Sequence, residues 1–405
     1  MRLDPRAEGF ADLCRERGRD AWLVGGFVRD RLLGRSSDDV DVAVAWGAAE
    51  LAFAYADASR VPCVRLHDDP PTLRLVFAAV PGSAPRLVLD VCGLRGTTIG
   101  EDLAGRDFTC NAMALQVSPS ASEEPLDPLG GEADLRSGAL RMASPRAFAG
   151  DPLRLIRAFR FAGELGLRVE ADTQAAIAAA ADRAAEPAGE RIRDELLRVL
   201  ALPGAADLVR QMSQLGVLGP LLGLANVAAG PAAGLLARYA AVGAPLGAPA
   251  DEHTRLAVLL HGASDEGLQR LAWKLRLSAK VTRAIRAMHR VADGGLPLAS
   301  GGLERPAAEL CADLGGAALS GLVLRAVARP AEAVGALALA AVVARVVLPR
   351  LQEPPLLSGL EVIELTGAQG AEVGRLLRSV RVAQLAGELE DAEGARAWVG
   401  ARARS

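Results

Sequence analysis

Aromatic side chains are scarce: 8 Phe, 4 Trp and 2 Tyr make up 3% of the 405 residues. Apolar residues of all kinds still reach 51%, so a sizeable core is available, and Ala, Leu and Val must fill it. That favours helices over sheets, because Ala and Leu are strong helix formers. Cysteine is also thin. Cys14, Cys63, Cys92, Cys110 and Cys311 are scattered, with no C-x-x-C pair, which predicts reduced core thiols in a cytoplasmic protein. The N-terminus is charged throughout and lacks an apolar signal core. The longest apolar stretch, residues 333–344, is closed by Arg345. It reads as a buried helix too short to span a bilayer. Excess positive charge is missing as well. A net charge of −3 argues against non-specific coating of nucleic acid, which needs clustered Lys and Arg. A local basic site remains open, since residues 141–160 hold five arginines and one acid, Asp151.

A chain of 405 residues predicts two to four domains. Residues 1–145 mix strands and helices. Strands are expected at 21–24, 40–45, 73–80 and 86–91, and a helix at 27–33 closed by Gly34. The Pro- and Gly-containing run 81–85 reads as the turn of a hairpin between the last two strands. After Pro152 nearly everything reads as helix. The first three helices are 153–165, 173–184 and 191–200. A second helical block covers about 251–350, and residues 352–355 break it before a final set of short helices.

The chemistry concentrates in residues 25–41. A short apolar run ends in Gly25-Gly26, a helix carries Arg29 and Asp30, Gly34 follows, and then comes Asp39-Val40-Asp41. In a strand, side chains two apart share a face. Asp39 and Asp41 therefore present two carboxylates together, the arrangement that holds divalent cations against a nucleoside triphosphate. Mg²⁺ prefers such hard oxygen ligands. The glycines let backbone amides at a helix start approach phosphate oxygens, and Arg29, one turn on, can reach the same anion. A lone glycine pair is usually only a turn, and a lone Asp-x-Asp is usually a solvated edge. Their combination within 17 residues is specific.

Further ordered segments follow. Glu101 to Met113 reads EDLAGRDFTCNAM. Asp127-Pro128-Leu129-Gly130-Gly131 precedes Asp134-Leu135 and Leu140-Arg141. Asp151-Pro152-Leu153-Arg154 leads to Arg157, Arg160 and Phe161, and Glu190-Arg191-Ile192 to Glu195-Leu196. With residues 25–41 this series, covering roughly residues 20–200, resembles the class II tRNA nucleotidyltransferase and bacterial poly(A) polymerase family, which includes CCA-adding and CC-adding enzymes. Residues 270–277 and 356–377 are similar, more loosely, to helical body and tail segments of that family.

The resemblance implies an α+β fold. A polymerase β-like head (residues 1–145) would be followed by an all-helical neck with a nucleotide-selecting helix (146–205), a body (206–350) and a tRNA-binding tail (351–405). It implies catalysis and Mg²⁺ ligation by Asp39 and Asp41. Nucleotide contacts are implied for Gly25, Gly26, Arg29, Arg106, Asp151, Arg154, Arg157 and Arg160. Asp107 and Asn111 fall in the motif associated with ribose recognition. Asp90 is a candidate third acid, though a strand-end Asp is as often structural. The implied partners are tRNA, with CTP and ATP as substrates, and neither membrane nor DNA.

Asp151 and Arg154 have their own logic. Cytosine and adenine both place an exocyclic amine beside a ring-nitrogen acceptor. A carboxylate accepts from the first and a guanidinium donates to the second. Three residues apart, the pair would share one helix face, with Arg157 and Arg160 continuing the series. The plain alternative is a surface salt bridge on a basic helix.

Some positions depart from the family pattern. Gly105 stands where an arginine is common, and Gly150 where an acid is common. Between Asp90 and Glu101 the chain is short. Enzymes that build all of CCA carry a longer flexible segment there, and relatives that add only two cytidines shorten it. The expectation is addition of CMP and AMP, with CC-only addition as the alternative, then poly(A) polymerisation, then an inactive RNA-binding homologue. The tail has no long basic run, which favours a tRNA substrate. A small-molecule nucleotidyltransferase would leave residues 151–160 and the helical extension unexplained. Some relatives also carry a His-Asp phosphohydrolase domain. Here His261 is followed by Gly262, and His67, His253 and His289 do not cluster with it in sequence, so none is expected.

Overall fold

The computed structural model describes residues 3–79, 86–117, 124–223, 229–296 and 302–402. The expected turn at 81–85 lies outside them. The chain forms two compact units, Met1–Pro187 and Ala188–Ser405.

The first unit is built on a six-stranded mixed sheet. Its strands are β1 (Ala21–Val24), β2 (Asp39–Val44), β3 (Cys63–Asp68), β4 (Pro71–Phe77), β5 (Leu87–Gly93) and β6 (Ala114–Gln116), in the order β3-β4-β5-β2-β1-β6. β2 and β5 run parallel, and the other neighbours are antiparallel. The expected strands are present within a few residues, and β4 and β5 pair antiparallel as anticipated. β3 and β6 were not foreseen. β3 is an edge strand whose side chains are mostly exposed, so it lacks the apolar alternation that marks a half-buried strand.

Helices α1 (Pro5–Glu16) and α3 (Ala48–Ser59) supply Phe10, Cys14, Leu51 and Ala52 to the main core. That core covers one sheet face, where Val40, Val42 and Val44 of β2 meet Leu89 and Val91 of β5. The intervening residues of β2 point to the other face. There Ala43 packs with Val24, Leu103, Ala112 and Ala114, and there Asp39 and Asp41 must also point. Around this second face lie α2 (Gly26–Leu32), α4 (Ile99–Ala104), α5 (Gly131–Ser137), α6 (Ala147–Gly150) and α7 (Arg154–Leu165). A two-stranded parallel pair, β7 (Ala139–Leu140) and β8 (Arg168–Val169), and α8 (Ala171–Ala179) complete the unit.

The second unit is helical throughout its described residues. Its elements are α9 (Gly189–Ala201), α10 (Ala205–Gln214), α11 (Leu218–Leu222), α12 (Ala229–Gly243), α13 (Glu252–Leu259), α14 (Asp265–Lys274) and α15 (Ala279–Asp293). They continue as α16 (Glu304–Leu314), α17 (Ala317–Ala328), α18 (Ala333–Val342), α19 (Leu348–Leu351), α20 (Gly359–Thr366), α21 (Ala371–Ala386) and α22 (Ala392–Arg402). The α+β architecture followed by helices agrees with expectation, as do five free cysteines. One expectation is corrected. The apolar helix does not stop at Arg345, because the backbone passes through a π-turn at Val343–Val347 into α19. The resulting segment, Pro330–Leu351, is 22 residues long with a mean hydropathy of 2.0, which by length and composition is enough to cross a membrane. It is also less enclosed than a core helix, with Val334 85% exposed.

Gly131, at the start of α5, fixes how the third motif seats on the second: a Cβ there would lie 2.2 Å from the Thr109 carbonyl oxygen. Gly131→Ala should therefore destabilise the protein by about 3 kcal/mol. Gly374→Ala, in α21 with nothing within 4 Å of the added carbon, should stabilise by about 0.5–1 kcal/mol. Denaturant unfolding of the two variants checks the pair.

Candidate active site

The parallel register of β2 on β5 sets Asp41 directly beside Asp90, and the antiparallel register of β4 on β5 sets Arg74 beside Asp90. The Arg74 guanidinium donates to both Asp90 oxygens, at 2.8 and 2.7 Å. Asp39 is exposed and Asp41 half-buried. Burial pushes the Asp41 carboxyl up to about 6; Arg106 opposes this, while Asp90 and Asp39 add to it. A crowded group of carboxylates whose charge is costly to bury is a donor set suited to a hard divalent cation. Asp39, Asp41 and Asp90 thus fit the metal expected from sequence.

The glycine turn closes over this group. Gly25 has φ +71° and ψ −137°, a conformation that side chains with a Cβ avoid. A Cβ there would also lie 2.9 Å from Arg106 Nη1 and 3.1 Å from Asp41 Oδ2. Arg106 is held in turn by buried Asp102, whose Oδ2 accepts from Arg106 Nε at 3.0 Å and whose Oδ1 accepts from the Arg95 amide at 3.2 Å.

A second network runs from α2 to α7. Arg29 is 9% exposed. It donates to Asp30 Oδ1 at 2.9 Å and to Asn111 Oδ1 at 2.7 Å. Asn111 donates to Asp107 Oδ1 at 3.1 Å, and Arg157 donates twice to Asp107 Oδ2, at 3.0 and 2.6 Å. Burial pushes the Asp107 carboxyl up, but Arg157, Asn111 and the Phe108 amide outweigh it and hold the group below the usual carboxylate range. The third motif braces this turn. Asp134 Oδ2 accepts from Thr109 Oγ1 at 2.6 Å and from Arg141 Nε at 2.9 Å, and Asp127 accepts from the Gly131 and Glu132 amides.

The structure thus gathers Gly25, Asp39, Asp41 and Arg106 around one end of β2. It links Arg29, Asp107, Asn111 and Arg157 in one chain of hydrogen bonds, with Gly26 beside the Arg29 guanidinium. The Asp151–Arg154 pair differs from expectation. Helix α7 begins at Arg154, and Asp151 precedes it in extended conformation, accepting from the Leu153 amide at 3.1 Å. Pro152 has no amide hydrogen and disfavours helical backbone in the residue before it, so the two do not share a helix face. Arg154 donates to the carbonyls of Gly105, Arg106 and Ala147, and burial lowers its pKa. Arg160 is 6% exposed and pairs with Glu164 at 2.7 Å. Arg74 and Asp102 were not anticipated. Arg74 sits between Leu73 and Leu75 in an expected strand, so pairing it across the expected hairpin to Asp90 was the available signal. Asp102 gave none beyond its place four residues before Arg106.

Acidic residues on parallel strands thus lie behind a glycine turn and are faced by arginines from the following segments, the arrangement that the resemblance implies for the head. Residues 21–141 match the family described as the Poly A polymerase head domain, and residues 166–226 one described as a probable RNA- and SrmB-binding site of polymerase A. Over these segments the chain is similar to the poly(A) polymerase family. It is 44% identical over 229 residues to a CC-adding tRNA nucleotidyltransferase of Geobacter sulfurreducens, covering 56% of this chain and 51% of that protein. It is 36% identical over 170 residues to an A-adding tRNA nucleotidyltransferase of Aquifex aeolicus, covering 38% of this chain and 19% of that one. The chain spans about half the length of the curated CC-adding relatives it matches. A solved Thermotoga maritima CCA-adding enzyme complexed with tRNA superposes with a TM-score of 0.73 at 26% identity, over 99% of this chain and 96% of that one.

Asp107→Asn removes the charge that Arg157 faces. Because Asp107 is buried and Arg157 partly exposed, the cost should be about 2 kcal/mol at pH 7. The lowered carboxyl stabilises the fold above its unfolded pKa and ceases to do so as pH falls through its folded value. Urea unfolding should therefore show the wild type and variant converging below about pH 4.

Proposed function

We propose that this protein adds cytidylate from CTP to the 3′ end of tRNA without a nucleic-acid template, and stops after two cytidines. The observation that carries the specificity is the connection between β5 and α4. It spans residues 94–98 alone and is pinned: Glu101 Oε2 accepts from the Thr97 amide at 2.7 Å and from Thr97 Oγ1 at 2.9 Å. Asp102 accepts from the Arg95 amide. The resemblance associates a longer, flexible segment here with terminal adenylate addition. The 44% identity to a CC-adding enzyme supports the same reading over the full CCA addition first expected.

In this mechanism the tRNA 3′ hydroxyl attacks the α-phosphate of CTP and pyrophosphate leaves. Asp39 and Asp41 would hold Mg²⁺, with Asp90 beside them. Bound there, the ion supplies Lewis-acid stabilisation of the phosphoryl charge and a lower pKa for the attacking hydroxyl. Arg74 and Arg106 keep the carboxylates in place. Gly25 and Gly26 give the phosphates access to backbone amides. Arg29, Arg157 and Arg160 face the triphosphate, with Asp107 and Asn111 orienting two of them. Asp151 and Arg154 stand for the base-reading edge, now as a turn and a helix start. The four-part division into head, neck, body and tail belongs to the same reading.

Purified protein with Mg²⁺ and tRNA transcripts ending at the discriminator base, at C or at CC tests this. With CTP and ATP together, growth should halt at CC, and the CC transcript should gain no adenylate. Growth to CCA would restore the broader specificity, and long adenylate tracts would indicate a poly(A) polymerase. Asp39→Ala or Asp41→Ala should lower addition by at least about a thousandfold while tRNA binding persists; near-normal turnover would remove the metal assignment.

The RNA partner also has a candidate grip in the second unit. On α15, Lys280, Arg283 and Arg290 are exposed along one helical face, with Arg286 between them paired to Asp265 at 2.8 Å. Replacing Lys280, Arg283 and Arg290 with alanine should weaken tRNA binding and flatten its log–log salt slope by about 2–3. Filter binding across a salt series measures both.

A further inference from the structure

Three cations share the ring of Phe161. From the same helix, the Arg160 guanidinium carbon lies 4.0 Å from the ring centroid and that of Arg157 lies 5.1 Å away. Arg29, arriving from α2, lies at 5.5 Å. The ring is 5% exposed and meets Phe108 edge-on, with centroids 5.8 Å apart at 74°. Cation–π attraction acts within about 6 Å and strengthens where water is excluded.

The three arginines come from two helices, and each has a different carboxylate partner. Arg29 pairs with Asp30 at 2.8 Å, Arg157 with Asp107 at 2.6 Å and Arg160 with Glu164 at 2.7 Å. Asp107 and Asn111 also tie Arg29 to Arg157 through hydrogen bonds, while the guanidinium groups repel one another. Phe161 is common to all three, and its own place is fixed through Phe108, the neighbour of Asp107 in the second motif.

We propose that Phe161 is a positioning residue for the nucleoside triphosphate. Its ring face sets the spacing of Arg29, Arg157 and Arg160, so that three cations meet the polyphosphate as a preformed cluster rather than as independent side chains. An aliphatic residue can fill the same volume, but it has no negative face to hold three guanidinium groups. Ordering them would then fall to the moment of binding, where it subtracts from affinity. The proposal rests on the nucleotidyltransferase reading of the head, and its test separates the two.

Phe161 is replaced by phenylalanine carrying one, three and five ring fluorines, which keeps the ring's shape while draining its negative face. Phe161→Leu and Phe161→Tyr are made alongside. CTP affinity is read directly by calorimetry, CMP addition by KM and kcat, and folding by thermal midpoint. Affinity for CTP should fall stepwise with fluorination at unchanged thermal midpoint, reaching about tenfold for the pentafluorinated ring. KM should rise in parallel while kcat changes little, and Phe161→Tyr should retain wild-type affinity. If Phe161→Leu fails to fold, the fluorinated series alone decides. Flat CTP affinity along that series overturns the proposal, whether or not CMP is added. A graded loss in a protein that binds CTP but adds no CMP keeps the proposal and overturns the catalytic reading. A wild-type protein that binds no nucleoside triphosphate overturns both.

Discussion

Carboxylates placed side by side repel, and the head is arranged around that repulsion. Parallel pairing of β2 with β5 brings Asp41 level with Asp90, and alternation along β2 adds Asp39 on the same face. Arg74 answers from the neighbouring strand and Arg106 from beyond α4. Arg106 is itself fastened by Asp102, and the approach of the Gly25 backbone to both Arg106 and Asp41 leaves no room for a side chain. The acidic group, the glycine turn and the start of the second motif are therefore parts of one electrostatic arrangement, which the remaining motifs brace from outside.

In this arrangement the second and third motifs hold other side chains of the site. Asp107 and Asn111 spend their hydrogen-bonding capacity on Arg157, Arg29 and each other. Asp127, Asp134 and Arg141 fasten the turn that carries them. Residues that a motif associates with the nucleotide can thus act by holding arginines from two different helices at fixed positions. This is why a run of short motifs spread from residue 25 to residue 161 folds into one small region.

Much of this is legible in the amino-acid sequence. The Asp39–Asp41 spacing, the Gly25–Gly26 turn and the run of arginines at 154, 157 and 160 stated the kind of chemistry, and apolar alternation located four strands. What remained hidden depended on pairing between distant segments. Arg74 gained meaning only from the register of β4 on β5. The exposed edge strand β3 carries no periodic apolar signal. Asp151 was expected to share a helix face with Arg154, because residue spacing was read without the restriction that Pro152 imposes on its neighbour. The apolar segment near residue 340 was cut short at Arg345 because one charge was taken as a helix end, whereas an exposed arginine can sit within a helix.

The pairing of most site arginines with nearby carboxylates has a consequence for how anions enter. Asp30, Asp107, Glu164, Asp90 and Asp102 each already face a guanidinium. On the proposed reading, a triphosphate arriving at these groups would exchange partners rather than fill a bare positive well. Such an exchange would demand several simultaneous substitutions, which a polyphosphate with many charged oxygens can supply and a chloride ion cannot.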